Sequence, residues 1–234
     1  TVPVPPSKTL SQYNLEMSHY GKHGNWTKAL VSIRSMRAQG IRPTRTTYTQ
    51  LITALAKGGQ SRKATQIFST MQSEAIAADT VTYNILINSH AHSIDWANAL
   101  SILRKMMPNS AQQPEQPPPL TPRAEADVIS FTTAMSACVR ANRSMRAMRL
   151  HASMQRMHIA ANTHTYNVLL LALRKLGMWS KAYEEFQKMR HSRVDRDMVT
   201  YVRLGETFEN GRQWSHALDM LSDMYESWYR GSKR

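Results

Sequence analysis

Residues 45–79 read RTTYTQLITALAKGGQSRKATQIFSTMQSEAIAAD, and their pattern decides the fold. In the first half, Tyr48, Leu51, Ile52 and Leu55 fall at i, i+3, i+4 and i+7, the apolar stripe of an amphipathic helix. Gly58 and Gly59 stop that helix. In the second half, Ala64, Ile67, Phe68 and Met71 repeat the same spacing. The stretch therefore reads as two antiparallel helices joined by a tight turn.

The same unit recurs in both directions along the chain. An aromatic stands at Tyr13, Tyr48, Tyr83, Phe131, Tyr166 and Tyr201, in steps of 35, 35, 48, 35 and 35. Sixteen residues after each comes Ala29, Ala64, Ala99, Ala147, Ala182 or Ala217. Seven further on comes Met36, Met71, Met106, Met154, Met189 or Met224. A fixed period in this range predicts a solenoid, in which each unit buries its apolar face against its neighbours. The units run 10–44, 45–79, 80–127, 128–162, 163–197 and 198–234, after a proline-rich lead-in over 1–9. Strand-like alternation persists nowhere, so the expected fold is all-α. Tryptophan opens the second helix at Trp26, Trp96, Trp179 and Trp214, where it suits packing between hairpins.

Two of the six units depart from the pattern. The third is 48 residues long, and its segment MPNSAQQPEQPPPLTPRAEAD (107–127) holds six of the ten prolines. A proline-rich insertion over about 107–126, extended rather than helical, is expected there. The sixth has Val202 and Asn210 where the others carry polar and cationic groups, and is expected to cap the array.

Composition narrows the function. The net charge of +14 points to a polyanionic partner. No run of 18 apolar residues is present, so no membrane-spanning helix is expected. Cys138 is the only cysteine, and it shares a helical face with Phe131, Ala134 and Met135, which predicts a buried thiol. One cysteine excludes a zinc deaminase site. A phosphate-binding Gly-rich loop and a His-Glu-x-x-His motif are both absent from the sequence. His90 with His92, and His19 with His23, lack further matching ligands. No catalytic residue, metal or cofactor is therefore expected, and the ten residues after Met224 are too few for another domain. The chain starts on Thr1 rather than a methionine, so a processed, truncated or renumbered start is expected, with any targeting segment out of view.

The first helix of each unit has a second face. Numbering the units from Leu10, Arg45, Thr80, Val128, Thr163 and Met198, places 2, 5, 9 and 13 line up on one side. They read Ser11, Asn14, Ser18, Lys22; then Thr46, Thr49, Thr53, Lys57; then Val81, Asn84, Asn88, His92. The next two units read Ile129, Thr132, Ser136, Arg140, and His164, Asn167, Leu171, Lys175. Hydrogen-bonding groups beside a row of cations suit an RNA strand, with cations for phosphates and directional groups for base edges.

The segments TVTYNILINSHA (80–91), THTYNVLLLALRKLGMWSKAYEEFQKM (163–189) and MRAQGIRPT (36–44) resemble the pentatricopeptide repeat family. The resemblance covers about residues 10–230. It implies a right-handed α-solenoid that binds single-stranded RNA in mitochondria or chloroplasts, about one base per repeat. It also implies base reading through place 5 and the last residue of each repeat. Carried over, the pairs are Asn14 with Thr44, Thr49 with Asp79, Asn84 with Asp127, Thr132 with Asn162, and Asn167 with Asp197. Place 2 residues Val81, Ile129, His164 and Val199 would sandwich bases, and place 13 residues Lys22, Lys57, Arg140 and Lys175 would approach phosphates. Ionised Asp only accepts hydrogen bonds and so suits G or U, whereas Asn can donate and suits A or C. By resemblance, Thr at place 5 favours purines and Asn pyrimidines, which gives a site of pyrimidine, G, U, A, U.

Two readings follow. In one, the protein is an adaptor for processing, stability or translation of an organellar mRNA. In the other, it is a structural subunit of a large organellar ribonucleoprotein such as a mitochondrial ribosome, held by rRNA backbone and protein contacts. The second draws on the proline-rich insertion and on Arg143, Arg146, Arg149 and Arg156, a basic face of a second helix.

Overall fold

The computed structural model describes residues 8–107 and 124–231, with side chains to 226. The described residues form twelve helices and no strand. They are α1 (Leu10–His23), α2 (Trp26–Ala38), α3 (Arg45–Lys57), α4 (Ser61–Ser73), α5 (Thr80–His92) and α6 (Trp96–Met106). There follow α7 (Val128–Arg140), α8 (Ser144–Arg156), α9 (Thr163–Lys175), α10 (Trp179–His191), α11 (Met198–Asn210) and α12 (Trp214–Gly231). Most of the proline-rich insertion, residues 108–123, and most of the lead-in, residues 1–7, lie outside the described residues.

From the second repeat on, each first helix starts because the last residue of the preceding repeat caps it, as Thr9 caps α1. Thr44, Asp79, Asn162 and Asp197 all have extended backbone, and each side chain accepts a hydrogen bond from the backbone N–H three residues on. A helix N-terminus leaves N–H groups without intrahelical partners, and Asp, Asn and Thr oxygens satisfy them. Each first helix ends in a left-handed residue at place 15: Gly24, Gly59, Ile94, Asn142, Gly177 and Arg212, with φ from 54° to 70°. Glycine takes this conformation freely, and Gly59 and Gly177 have open space around them.

The helices group into two units, Thr1–Thr133 and Ala134–Arg234. In the first, α1 packs on α2 and α3, α3 on α2, α4 and α5, and α5 on α4 and α6. In the second, α9 packs on α8, α10 and α11, and α11 on α10 and α12. Each unit is thus a run of helical hairpins stacked on their chain neighbours, as a solenoid requires. The stripe first read from the sequence forms the core: Tyr48, Leu51, Ile52, Leu55, Ala64, Phe68 and Met71 are buried, and Ile67 is half-buried. Each large side chain buried this way contributes about 1.5–3 kcal/mol. The recurring alanine and methionine are fully buried in the first five copies, and half-buried as Ala217 and Met224 in the sixth.

The tryptophans key one hairpin to the next. A Cβ placed on Gly58 would lie 2.3 Å from Trp26 Cδ1, and one on Gly211 would lie 2.9 Å from Trp179 Cδ1. Each of these two tryptophans therefore sits against the turn glycine of the following hairpin, and Lys63 Nζ lies over the Trp26 ring, 4.1 Å from its centroid. Trp214 has no following hairpin among the described residues, and its ring is 65% exposed, in line with exposed Leu218, Leu221 and Tyr225. Cys138 is buried, and burial pushes its thiol up to about 11.

Candidate nucleic-acid interface

The predicted stripe lies on the first helices, graded from wet to dry. At place 2, Val81, Ile129 and Val199 are 59%, 56% and 45% exposed, and His164, Ser11 and Thr46 are exposed too. Apolar side chains held in water at one register position are placed to cover flat apolar surfaces. Beside Val199, Leu171 and Val202 line a shallow hollow flanked by Arg174 and Arg203. At place 5, Asn14, Thr49 and Asn84 are half-buried, while Thr132 and Asn167 are buried. The closing residues lie nearer water: Thr44, Asp79 and Asp127 are half-exposed, and Asn162 and Asp197 are exposed.

Two of the five sequence-derived pairs bond directly. Asn167 Nδ2 donates to Asp197 Oδ1 and Oδ2 at 2.9 and 3.1 Å. Asn84 Nδ2 donates to Asp127 Oδ1 and Oδ2 at 3.2 and 3.3 Å. Asp127 also receives the backbone N–H of Ser130 at 2.8 Å, so it closes its repeat as Asp197 does despite the insertion before it. Burial works against ionisation of both carboxyls. Hydrogen bonds from Ser130 and Asn84 outweigh it at Asp127, and those from Asn167 and Thr200 outweigh it at Asp197, so both lie below the ordinary carboxylate range. Asn14 and Thr44, and Thr49 and Asp79, are linked instead through an intervening hydroxyl.

That hydroxyl is the set of residues the sequence reading missed. It stands at place 3 as Thr47, Thr82, Ser130, Thr165 and Thr200, all fully buried. Each lies within hydrogen-bond distance of the closing residue three positions before it, at 3.1, 2.7, 2.8, 2.9 and 2.9 Å respectively. These hydroxyls also reach place 5 of the preceding repeat: Thr47 to Asn14 at 2.7 Å, Thr82 to Thr49 at 2.9 Å, Ser130 to Asn84 at 2.5 Å and Thr200 to Asn167 at 2.7 Å. The signal was present in the sequence, as a hydroxyl in five of six copies at a fixed spacing from the cap, where Gln12 alone differs.

All four place 13 cations are exposed, and two are tied down. Lys57 Nζ donates to the Lys22 carbonyl at 3.1 Å, and Lys175 Nζ donates to the Val139 carbonyl and Asn142 Oδ1, both at 2.9 Å. Each thus neutralises the negative end of the preceding first helix. An ammonium group has three donors, so each retains donors for a phosphate. Arg146, Arg149 and Arg156 are exposed on α8, which has no acidic residue, and Arg143 is exposed at its N-cap. The remaining histidines play other parts. His90 is buried between Thr65 Oγ1 at 2.8 Å and Asp95 Oδ2 at 3.3 Å, and the His19 and His23 rings meet tilted at 55°, with centroids 4.6 Å apart.

This geometry, repeated hairpin after hairpin, has a counterpart among known proteins. Family models described as pentatricopeptide repeat domain, PPR repeat family and PPR repeat match residues 32–92, 126–175, and 81–107 with 164–194. The chain belongs to the pentatricopeptide repeat family. One relative, a chloroplastic pentatricopeptide repeat-containing protein of Arabidopsis thaliana, is 24% identical over 84% of this chain. A second from the same plant, also chloroplastic, is 27% identical over 67% of the chain. The chain spans 24% and 30% of the length of these two relatives. Among solved structures, the pentatricopeptide repeat domain of Arabidopsis thaliana protein-only RNase P 1, in complex with tRNA, superposes with a TM-score of 0.69 at 14% identity. That match covers 85% of this chain and 98% of the other. Maize PPR10 in complex with an 18-nt psaJ RNA element gives a TM-score of 0.53 at 18% identity, covering 93% of this chain and 40% of that one. The fold is the family's α-solenoid of helical hairpins.

Proposed function

We propose that this pentatricopeptide repeat chain binds single-stranded RNA along its first-helix face, one base per repeat, and serves organellar RNA processing, stability or translation without catalysing a reaction. The observation that carries the proposal is the closing residue. Capping explains why Thr, Asp or Asn stands there, yet Asp and Asn cap equally well. Capping therefore leaves the choice between acceptor-only Asp79, Asp127 and Asp197 and donor-bearing Asn162 open to selection by a ligand. Paired with place 5, these residues read pyrimidine, G, U, A, U. Val81, Ile129, His164 and Val199 would cover base faces, and Lys22, Lys57, Arg140 and Lys175 would meet phosphates. Val202 at place 5 leaves the sixth repeat without a polar group to read a base. The chloroplastic relatives and the RNA-bound structures of the same fold support an organellar, RNA-binding role.

The test is affinity for an RNA containing CGUAU against a scrambled control over a range of salt concentrations. Tenfold preference for CGUAU, moving from G to A at the second base in Asp79→Asn, supports base reading. Asn caps α5 as well as Asp does, so the fold survives the change. Equal binding that falls steeply with salt would mean backbone contacts alone. That outcome would favour the structural-subunit reading, which the arginine face of α8 supports as a contact for rRNA or partner proteins.

A further inference from the structure

We propose that the buried place 3 hydroxyls are specificity-positioning residues: by fixing the direction of the hydrogen bonds between place 5 and the closing residue, they decide whether place 5 offers RNA a donor or an acceptor. The proposal rests on the base-reading function above and explains how one closing residue, Asp, can serve two different bases.

At Thr49 and Asp79 the argument is one of proton counting. A carboxylate at neutral pH has no proton to give, so in the 2.7 Å contact Thr82 Oγ1 donates to Asp79 Oδ1. A hydroxyl has one proton, and that of Thr82 is now committed. In its 2.9 Å contact with Thr49, Thr82 must therefore accept, and Thr49 must donate. Thr49 then has only lone pairs left for a ligand. Beside the free oxygen of Asp79 it forms two adjacent acceptors. Guanine matches them, because its ring N–H and exocyclic amino group are adjacent donors. Uracil does not, because both neighbours of its ring N–H are carbonyl oxygens.

At Asn84 and Asn167 the hydroxyl proton goes the other way. Thr200 has one proton and two acceptors in reach, Asn167 Oδ1 at 2.7 Å and Asp197 Oδ1 at 2.9 Å. Asp197 Oδ1 already receives the Thr200 backbone N–H, so the proton goes to the nearer amide oxygen, and one amide N–H is shared by the two Asp197 oxygens at 2.9 and 3.1 Å. The second N–H is left over. Asn84 is held likewise between Ser130 and Asp127. Each pair thus presents a donor beside an acceptor, which matches a carbonyl beside the ring N–H of uracil. The hydroxyls are fully buried in a helical core, where an apolar side chain of the same shape would pack without polar cost. Thr47, Thr82, Ser130 and Thr200 bridge repeats at the two residues assigned to base reading, which a purely packing role does not require.

The test is Thr82→Val, an exchange of hydroxyl for methyl, with Thr82→Ser as the conservative control. RNAs carrying G, U or A at the second base are compared, with U against A at the fifth base as an internal reference. Freed from Thr82, the Thr49 hydroxyl can turn its proton towards the ligand. The G-over-U preference at the second base should then fall roughly three- to tenfold, the worth of one hydrogen bond. The fifth-base preference should stay, and Thr82→Ser should restore the second. If Thr82→Val does not fold, Thr82→Ala, which removes the hydroxyl without adding bulk, takes its place. A folded variant that keeps the full G-over-U preference overturns the inference. A wild-type protein with no preference at either base overturns instead the base-reading function on which it rests.

Discussion

Gly58→Ala tests how the hairpins are keyed together. Gly58 has φ −79° and ψ 8°, a backbone any residue adopts, so the substitution meets no conformational penalty. Its cost is steric. The new methyl would lie 2.3 Å from Trp26 Cδ1 and 3.1 Å from Nε1 of the same ring, with the Gly24 carbonyl also at 3.1 Å. Carbon pairs are comfortable at about 3.5–4.0 Å, so the ring must move by more than about 1 Å. Overpacking of this size costs roughly 1–3 kcal/mol. The neighbouring Gly59→Ala is the built-in contrast: at φ +70° with nothing within 4 Å, it carries a backbone cost of about 1–2 kcal/mol and no clash. Urea unfolding followed by circular dichroism should therefore show both variants destabilised, for different reasons. Trp26→Ala separates them. With the indole gone, Gly58→Ala should become neutral or gain about 0.4–1 kcal/mol from a stiffer unfolded chain, whereas Gly59→Ala should cost the same as before. If Gly58→Ala costs the same with and without Trp26, the tryptophan does not key the two hairpins and the reasoning fails.

Two further outcomes are expected. Cys138, buried and with its thiol pushed up to about 11, should resist alkylation by iodoacetamide at pH 8 in the folded protein and react at once in guanidinium; rapid labelling of the native state would contradict its burial. His151 is buried, with Nε2 unbonded, at the place occupied by Ile33, Phe68, Leu103 and Phe186 in other repeats. Burial lowers its pKa despite the opposing pull of Glu185, so below pH ~6.5 the unfolded chain binds a proton that the folded chain refuses. Stability should accordingly fall as pH drops from 7.5 to 5.5, by at most ~1.4 kcal/mol per unit from this group, and His151→Phe should remove that part of the slope. Identical slopes in the two proteins would show that His151 is not the cause.

Much of the architecture was legible without coordinates because a helical hairpin is short. The residues that bury Tyr48 and Phe68 lie within one repeat or the next, and a period of 35 counts them off. The stripe at places 2, 5 and 13 was legible for the same reason, since residues three and four apart share a helix face. The linking hydroxyls were harder to see. Thr200 meets Asp197 within a turn, which reads as an ordinary helix cap, but its contact with Asn167 joins residues 33 apart in sequence. Helical periodicity carries no information about a neighbour at that separation.

The amino-acid sequence alone thus determined the all-α repeat, its register, its buried positions and its family, because each depends on spacing within one or two adjacent repeats. Only the tertiary structure decided which polar groups meet: the bonds of Lys57 and Lys175 to the preceding helix ends, the seating of Trp26 on Gly58, and the contacts of Thr49 and Asn167 with the buried hydroxyls of the next repeat. A hydrogen bond depends on distance and angle to a few tenths of an ångström. Stacking one hairpin on the next sets those values, and residue spacing does not.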